Sequence, residues 1–221
     1  MTDRTVSVAA AWRDAWAGRA FRIQALLTLP VLVVVLGSLA RFLERNEARQ
    51  GVVLPDPLLA LFTPHDLTWV TFGLIYIGLI TAIIYLLRHP ATLLVAMQAY
   101  ALMVCFRIVA MTLVPLEPPP SMLPLNDPFV EIFGTGRLLT KDLFFSGHTS
   151  TLFLLFLVTP RGVLKMVFLI CTVLVACCVL AQHVHYSIDV FVAPFVAYAS
   201  VRIIHFMHVR SGLMRLGHRE D

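Results

Sequence analysis

The chain has 221 residues, 59% of them hydrophobic and only 14% charged, against about 25% charged in a typical soluble domain. Its mean hydropathy of +0.84 comes from long apolar runs, which excludes an ordinary soluble domain and fits one polytopic membrane domain. A net charge of +4 and a pI near 9.1 would suit a nucleic-acid binder. The cationic residues, however, are scattered over short loops and ends without forming a stripe, so no nucleic-acid partner is expected.

Residues 1–22 place Trp12 and Trp16 on one helical face beside Arg13, Arg19 and Arg22. That is the pattern of an amphipathic helix lying in a headgroup layer. Six apolar segments of spanning length follow, near 23–43, 67–87, 91–114, 143–160, 163–182 and 187–207. The predicted fold is therefore all-α: an interfacial helix, a six-helix membrane domain over 23–208 and a basic cytoplasmic tail over 209–221. Ser38-Leu39-Ala40 faintly resembles a signal-peptidase site, but the long, initially uncharged stretch before it favours an uncleaved first helix. Cys105, Cys171, Cys177 and Cys178 fall inside apolar runs without paired spacing and read as small core residues. Between the third and fourth segments, residues 115–142 carry PLEPPPS, LPLNDP and FGTGR. This proline- and glycine-broken stretch reads as a lid or lipid-positioning loop.

Loop charges give an orientation. With the N-terminus in the cytoplasm, the inner segments hold Arg4, Arg13, Arg19, Arg22, Arg88, Arg161, Lys165, Arg210, Arg215 and Arg219. The outer loops hold Arg41, Arg45, Arg49, Arg137 and Lys141. The excess on the inside places both termini in the cytoplasm. His148, at the start of the fourth segment, and His185 with Asp189, at the junction of the last two, then reach the outer face together. Arg107 lies in the outward-running half of the third. Compact tails without an obvious eukaryotic targeting signal point to a bacterial inner membrane.

These residues form a chemically coherent set. Ionisable side chains within apolar segments are costly and call for a reason. His185 and Asp189 are spaced i, i+4, so on a helix they share a face about 6 Å apart along the axis. The carboxylate can orient the imidazole and leave its other nitrogen free to attack a phosphorus, while His148 can protonate what leaves. The planar fork of Arg107 can hold two phosphate oxygens. Lys141 and the amides around Ser146-Gly147, at a helix N-terminus, can add to anion binding. Taken singly, each has a plainer reading: a His–Asp clasp, a capping Ser146, a snorkelling Arg107, an Asp142 that merely complements a helix dipole. His183 reads as a neighbour supporting His185 or as an interfacial residue.

Four patches, in order, resemble the sphingomyelin synthase family, a branch of the type 2 phosphatidic acid phosphatase superfamily. They are Leu54-Pro55-Asp56-Pro57-Leu58-Leu59, Tyr100 through Pro115 with FRIVAMTLVP, Asp142 through Thr149 (DLFFSGHT), and His183 through Val190 (HVHYSIDV). The resemblance covers roughly residues 54–208. It implies a catalytic triad of His148, His185 and Asp189, with substrate contacts from Arg107, Lys141, Ser146, Gly147 and Tyr186. By it, His185 attacks a glycerophospholipid donor to form a phosphohistidine, His148 protonates the departing diacylglycerol, and a ceramide-like alcohol then takes the headgroup. Neither metal nor other cofactor is implied. The chain lacks the Arg-Pro pair usual in the wider superfamily and has Val179 where an arginine precedes the nucleophilic histidine, which points toward the synthase branch. Val184 and Pro194 depart from synthase patterns and leave the headgroup open.

Three other readings stand beside this one. A phosphatase or phospholipase C-type hydrolase would use the same residues with water as acceptor. A metal enzyme would use His183, His185 and Asp189, although i, i+2, i+6 spacing does not put all three on one helical face. A lipid or ion transporter would use the buried His and Asp as a proton relay.

Overall fold

The computed structural model describes residues 7–125 and 139–210; residues 126–138 of the proline-rich loop and the tail from 211 lie outside that description. Among the described residues there are seven α-helices: α1 (Val8–Ala17), α2 (Arg19–Glu47), α3 (Thr68–Leu86), α4 (Pro90–Leu113), α5 (Gly147–Val158), α6 (Val163–Ala181) and α7 (Ser187–Arg210). Five of these, α2, α3, α4, α6 and α7, are long and apolar enough to cross a membrane.

The fourth expected span is different. α5 has 12 residues, ~18 Å of helix, well short of the ~20 residues a crossing takes. Residues 143–146, expected within it, are instead non-helical. Phe144 has a positive φ of 47°, and the first helical turn is set by Ser146, whose hydroxyl accepts from Thr149 N at 3.4 Å. The backbone before Gly147 bonds to side chains and carbonyls of other helices rather than to a helical turn of its own.

α1 is capped by Ser7, whose hydroxyl accepts from Ala10 N at 3.2 Å. Its Trp12 donates to the Leu87 carbonyl at 2.8 Å, and Trp12 and Trp16 both meet Phe21 edge-on. The indoles thus pin the α1–α2 corner to the end of α3. Ala99, Leu152, Val175, Val179, Ala193 and Ala197 are fully buried between α4, α5, α6 and α7. The alanines allow close helix approach, as interfaces between apolar helices require. Leu26, Val34, Ile77, Ile80, Phe191 and Phe195 lie exposed on the outer faces, the apolar exterior of a bundle set in lipid.

The loops at the His148 end are bound to one another. Val52 N donates to the Pro115 carbonyl at 3.0 Å and Glu117 N to the Val52 carbonyl at 3.1 Å. Tyr186 is fully buried; its hydroxyl donates to the Glu117 carbonyl at 2.9 Å and accepts from Leu54 N at 3.2 Å. The Gln182 side chain accepts from Leu67 N at 3.1 Å and donates to Thr68 Oγ1 at 2.9 Å. α6 ends in a Schellman motif: Val184 N reaches the Val179 carbonyl and His183 N the Leu180 carbonyl, both at 2.9 Å. His183, with φ of 55°, occupies the left-handed position that glycine usually takes. Its Nδ1 lies 2.6 Å from Ser121 Oγ, so the turn trades backbone ease for a tie to the loop.

Where residues 51–52 meet residues 115–117, joined by an isolated bridge between Val52 and Leu116, a Cβ on Gly51 would come within 2.5 Å of the Leu116 carbonyl carbon. Gly51→Ala should therefore part the two loops and lower stability by about 1–3 kcal/mol. Thermal unfolding in detergent reads this as a lower midpoint; an unchanged midpoint would mean that the crossing adds nothing to stability.

Candidate active site

The His185–Asp189 pair forms as its spacing predicts, but across the start of α7 rather than within it. Asp56 is responsible: its carboxylate accepts from Ser187 N at 2.7 Å and fixes where α7 begins. His185 Nδ1 stands 3.2 Å from Asp189 Oδ2. The same oxygen accepts from Tyr186 N at 3.2 Å, so the carboxylate holds both the ring and the turn that carries it. Asp189 is wholly buried and His185 nearly so. Asp189 Oδ1 has no hydrogen-bond partner among the described residues.

His148 comes from α5, as its second residue. Its ring stands edge-to-face with that of His185, centroids 6.4 Å apart, and packs against Phe72 of α3 at 6.0 Å. The two elements are joined directly, because Ser146 N donates to the Asp189 carbonyl at 3.0 Å. A group placed between the rings would meet one imidazole oriented by a carboxylate and a second on the opposite side. That is the arrangement required for attack on one face of a centre and protonation of a group leaving from another.

Arg107 does not snorkel. It is 5% exposed and lies against the Phe145 ring at 5.7 Å. Its Nε and Nη2 donate to Asp142 Oδ1 at 3.0 and 2.7 Å, and Nη1 donates to the Phe145 carbonyl. Gly147 permits this: a Cβ there would fall 2.6 Å from Nη1. Asp142 thus differs from the dipole-complementing charge expected of it; it is the counter-ion of Arg107. Burial pushes its carboxyl up, but the Arg107 charge and hydrogen bonds outweigh burial and hold its pKa below the ordinary value. The signal in the sequence was a lone arginine inside an apolar segment, which needs an acid, with Asp142 at the edge of another.

The remaining candidates are held by the protein itself. Lys141 Nζ donates to the Glu117 carboxylate at 2.8 Å and to the Arg49 carbonyl at 2.7 Å. Ser146 is fully buried, and its hydroxyl also accepts from Thr149 Oγ1 at 3.1 Å. Tyr186 is bound to the loops as described above. His183 turns to Ser121 while His185 turns to Asp189, and no group of three metal-ligating side chains forms among the described residues.

A cavity of about 580 Å³ reaches this centre at His148, while His185 and Asp189 do not line it. Arg107, Asp142, Gly147 and His148 line one part of it. Apart from Tyr100, Ser150 and Thr151, the rest is mainly apolar, with Leu32 and Leu39 from α2, Phe72, Tyr76, Leu79 and Ile83 from α3, and Met97 and Met103 from α4. The volume and the few convergent polar groups are those of a small-molecule site, and the apolar remainder suits hydrocarbon.

The Arg107–Asp142 pair has a pH signature. A carboxyl with a lowered folded pKa stabilises fully above its unfolded value, and this stabilisation is lost as pH falls through the folded value. Arg107→Gln removes the cation and leaves the burial, so the Asp142 pKa should rise. The deficit of the variant should then be largest near neutral pH and shrink as pH falls, read as thermal unfolding midpoints in detergent that converge with those of the wild type in acid. A gap that stays constant with pH would show that the pair does not contribute to the pH dependence.

Residues 141–208 match the family model described as PAP2 superfamily C-terminal, a stretch that contains His148, His185 and Asp189 but is less than half the chain. No curated protein matches the chain. Over the matched residues the chain is similar to the type 2 phosphatidic acid phosphatase superfamily, which supports a lipid phosphatase or phosphotransferase type of activity in a membrane without selecting a branch.

Proposed function

We propose that this protein is a membrane phosphotransferase that moves a phosphoryl headgroup from a glycerophospholipid to a ceramide-like lipid alcohol, in the manner of sphingomyelin synthases. The observation that carries this reading is the facing pair of imidazoles, one of them bound to a buried carboxylate, next to a cavity whose far part is hydrocarbon-lined. His185 Nε2 attacks the phosphorus, and the bond to the diacylglycerol oxygen breaks as His148 gives that oxygen a proton. His148 then takes the proton of the incoming alcohol, whose oxygen displaces the histidine nitrogen from phosphorus. Asp189 stabilises the imidazolium character of His185 throughout. Arg107, already paired with Asp142, orders the segment carrying His148 and adds positive potential beside the phosphoryl group.

In the same reading, α5 together with the extended residues before it makes the fourth of six crossings. Both termini then lie on one side, which the excess of arginine and lysine there assigns to the cytoplasm. The two-histidine centre faces the opposite side. α1, with its tryptophans and arginines at the α1–α2 corner, lies along the cytoplasmic headgroup layer.

A hydrolase using the same residues is the second reading, favoured by the family match, whose superfamily includes phosphatases. Purified protein in detergent, given fluorescent ceramide and phosphatidylcholine or phosphatidylethanolamine with EDTA present, separates the two. Transfer predicts a new phosphosphingolipid that disappears in His185→Ala, a loss of 10³-fold or more on the scale of a missing nucleophile, roughly. Diacylglycerol and free phosphorylated headgroup without a ceramide product would establish the hydrolase. Turnover retained in His185→Ala would remove His185 as nucleophile.

A further inference from the structure

α2 packs along α4, but it makes few side-chain hydrogen bonds to the rest of the molecule. Of its 29 residues only Phe21, Thr28 and Asn46 are buried. At its first half, Thr28 accepts from the Gln98 amide at 2.8 Å, and Gln98 in turn pairs with His208 at 2.5 Å. Pro30 follows directly, removing one helical hydrogen bond just past this attachment. Between Thr28 and Asn46 the helix packs on α4 along one side. Its Leu32 and Leu39 face the cavity, across from Phe72, Leu79 and Ile83 of α3. Along this stretch α2 is therefore one wall of the cavity, packed on α4 on one side and without a side-chain hydrogen bond to another element between Thr28 and Asn46 among the described residues.

The second attachment is unusual in what it holds. The Glu47 carboxylate accepts from Thr140 N at 3.1 Å, from Lys141 N at 3.1 Å and from the Thr140 hydroxyl. Asn46 Nδ2 donates to the Lys141 carbonyl at 2.8 Å. Two adjacent side chains at the end of α2 thus grip the backbone of two residues, 93–95 positions away in sequence. The next residue is Asp142, the partner of Arg107, and six residues further stands His148. Neither Asn46 nor Glu47 is part of the two-histidine centre or lines the cavity.

We infer that Glu47 is a positioning residue: through Thr140 and Lys141 it ties the cavity wall formed by α2 to the segment that presents Asp142 and His148. A charged carboxylate accepting several backbone and hydroxyl donors is a strong anchor. The peptide units it holds have no helical partners, so releasing them loosens the approach to the Arg107 anchor at Asp142 and, through that anchor, the segment up to His148. Displacement of α2 away from α3, as a lipid entering the cavity would require, pulls on the same two residues. The state of the wall is in this way transmitted to the alignment of His148 against His185. This inference rests on the phosphotransfer reading for its kinetic arm only.

The test uses full-length protein in detergent with Glu47→Ala and Glu47→Gln, each first shown by size-exclusion and thermal unfolding to be folded. Hydrogen exchange read by mass spectrometry addresses the coupling without any substrate. In Glu47→Ala, protection should fall at residues 139–141 and also across 142–148, while Glu47→Gln, which keeps an acceptor, should retain part of it. With ceramide and phosphatidylcholine or phosphatidylethanolamine, Glu47→Ala should lower kcat by ~10- to 100-fold, the usual cost of a slightly misplaced catalytic group, with KM changed by less than about threefold. Glu47→Gln should recover part of the loss. Exchange confined to 139–141, or kcat equal to that of the wild type, would overturn the inference. If the wild type turns over none of these lipids, the phosphotransfer reading falls, and the exchange experiment still decides whether Glu47 orders the 142–148 segment.

Discussion

Non-helical backbone inside an apolar bundle must find hydrogen-bond partners among protein groups, because no solvent is there to supply them. Residues 139–146, half-buried at their start and buried at Leu143, Phe145 and Ser146, run into such a bundle, and the structure is organised around supplying this stretch. Glu47 takes the amides of Thr140 and Lys141, and Asn46 takes the Lys141 carbonyl. Arg107 takes the carbonyls of Asp142 and Phe145. Ser146 N goes to the Asp189 carbonyl. Donors and acceptors from α2, α4 and α7 thus converge on one short segment, which delivers His148 to His185. Arg107 is central because it satisfies two carbonyls and one carboxylate at once, which its fork geometry allows and a lysine would not.

The same economy appears at the turn before α7. Asp189 orients His185 and accepts from Tyr186 N with a single oxygen, while Asp56 secures Ser187 N. The Tyr186 hydroxyl, the Gln182 amide and His183 bind that turn to the loops around residues 54, 67 and 121. His183 burdens the Schellman turn with a side chain that a left-handed backbone disfavours by about 1 kcal/mol, a cost offset by the Ser121 contact. The turn carrying one imidazole is therefore held from outside the bundle, and the segment carrying the other is held from within it. Relative placement of the two rings follows from these two sets of anchors and from the Ser146–Asp189 hydrogen bond that joins them.

The legible part of this arrangement was the local part. The i, i+4 spacing of His185 and Asp189 and the capping position of Ser146 depend on neighbours within a few residues, and both appear in the fold. The anomaly of Arg107 in an apolar run was equally visible, but its partner was not, since Asp142 is 35 positions away. Lys141 shows the limit most clearly: as an isolated cation before a helix it reads as an anion binder, yet Glu117, 24 residues earlier, neutralises it. Tyr186 sits inside a motif that implies contact with substrate, and its hydroxyl instead joins the backbones of Leu54 and Glu117. The shortness of α5 was illegible for a related reason. Residues 143–146 (LFFS) are apolar enough to read as helix, and only the partners waiting on α4 and α7 draw their backbone out of it.

That shortening decides where the chemistry sits. Lys165, in the first turn of α6, donates to the carbonyls of Phe156 and Thr159 at 2.9 and 3.0 Å, which sets the end of α5 level with the start of α6. From there α6 rises through 19 residues, ~28 Å, and α5 through 12, ~18 Å. The N-terminus of α5 therefore stops several ångströms below the end of its neighbour. Gly78, in the middle of α3, meets Leu152 at a separation that leaves a Cβ only 3.0 Å, consistent with α5 being seated deep against α3. His148 is thus recessed from the end of the bundle, at a level where the surrounding helix faces are apolar. A polar headgroup reaching it must leave water, and the apolar part of the same molecule can remain in the cavity or in the surrounding hydrocarbon. The recession of His148 beside an apolar cavity is, on this argument, a consequence of one short helix.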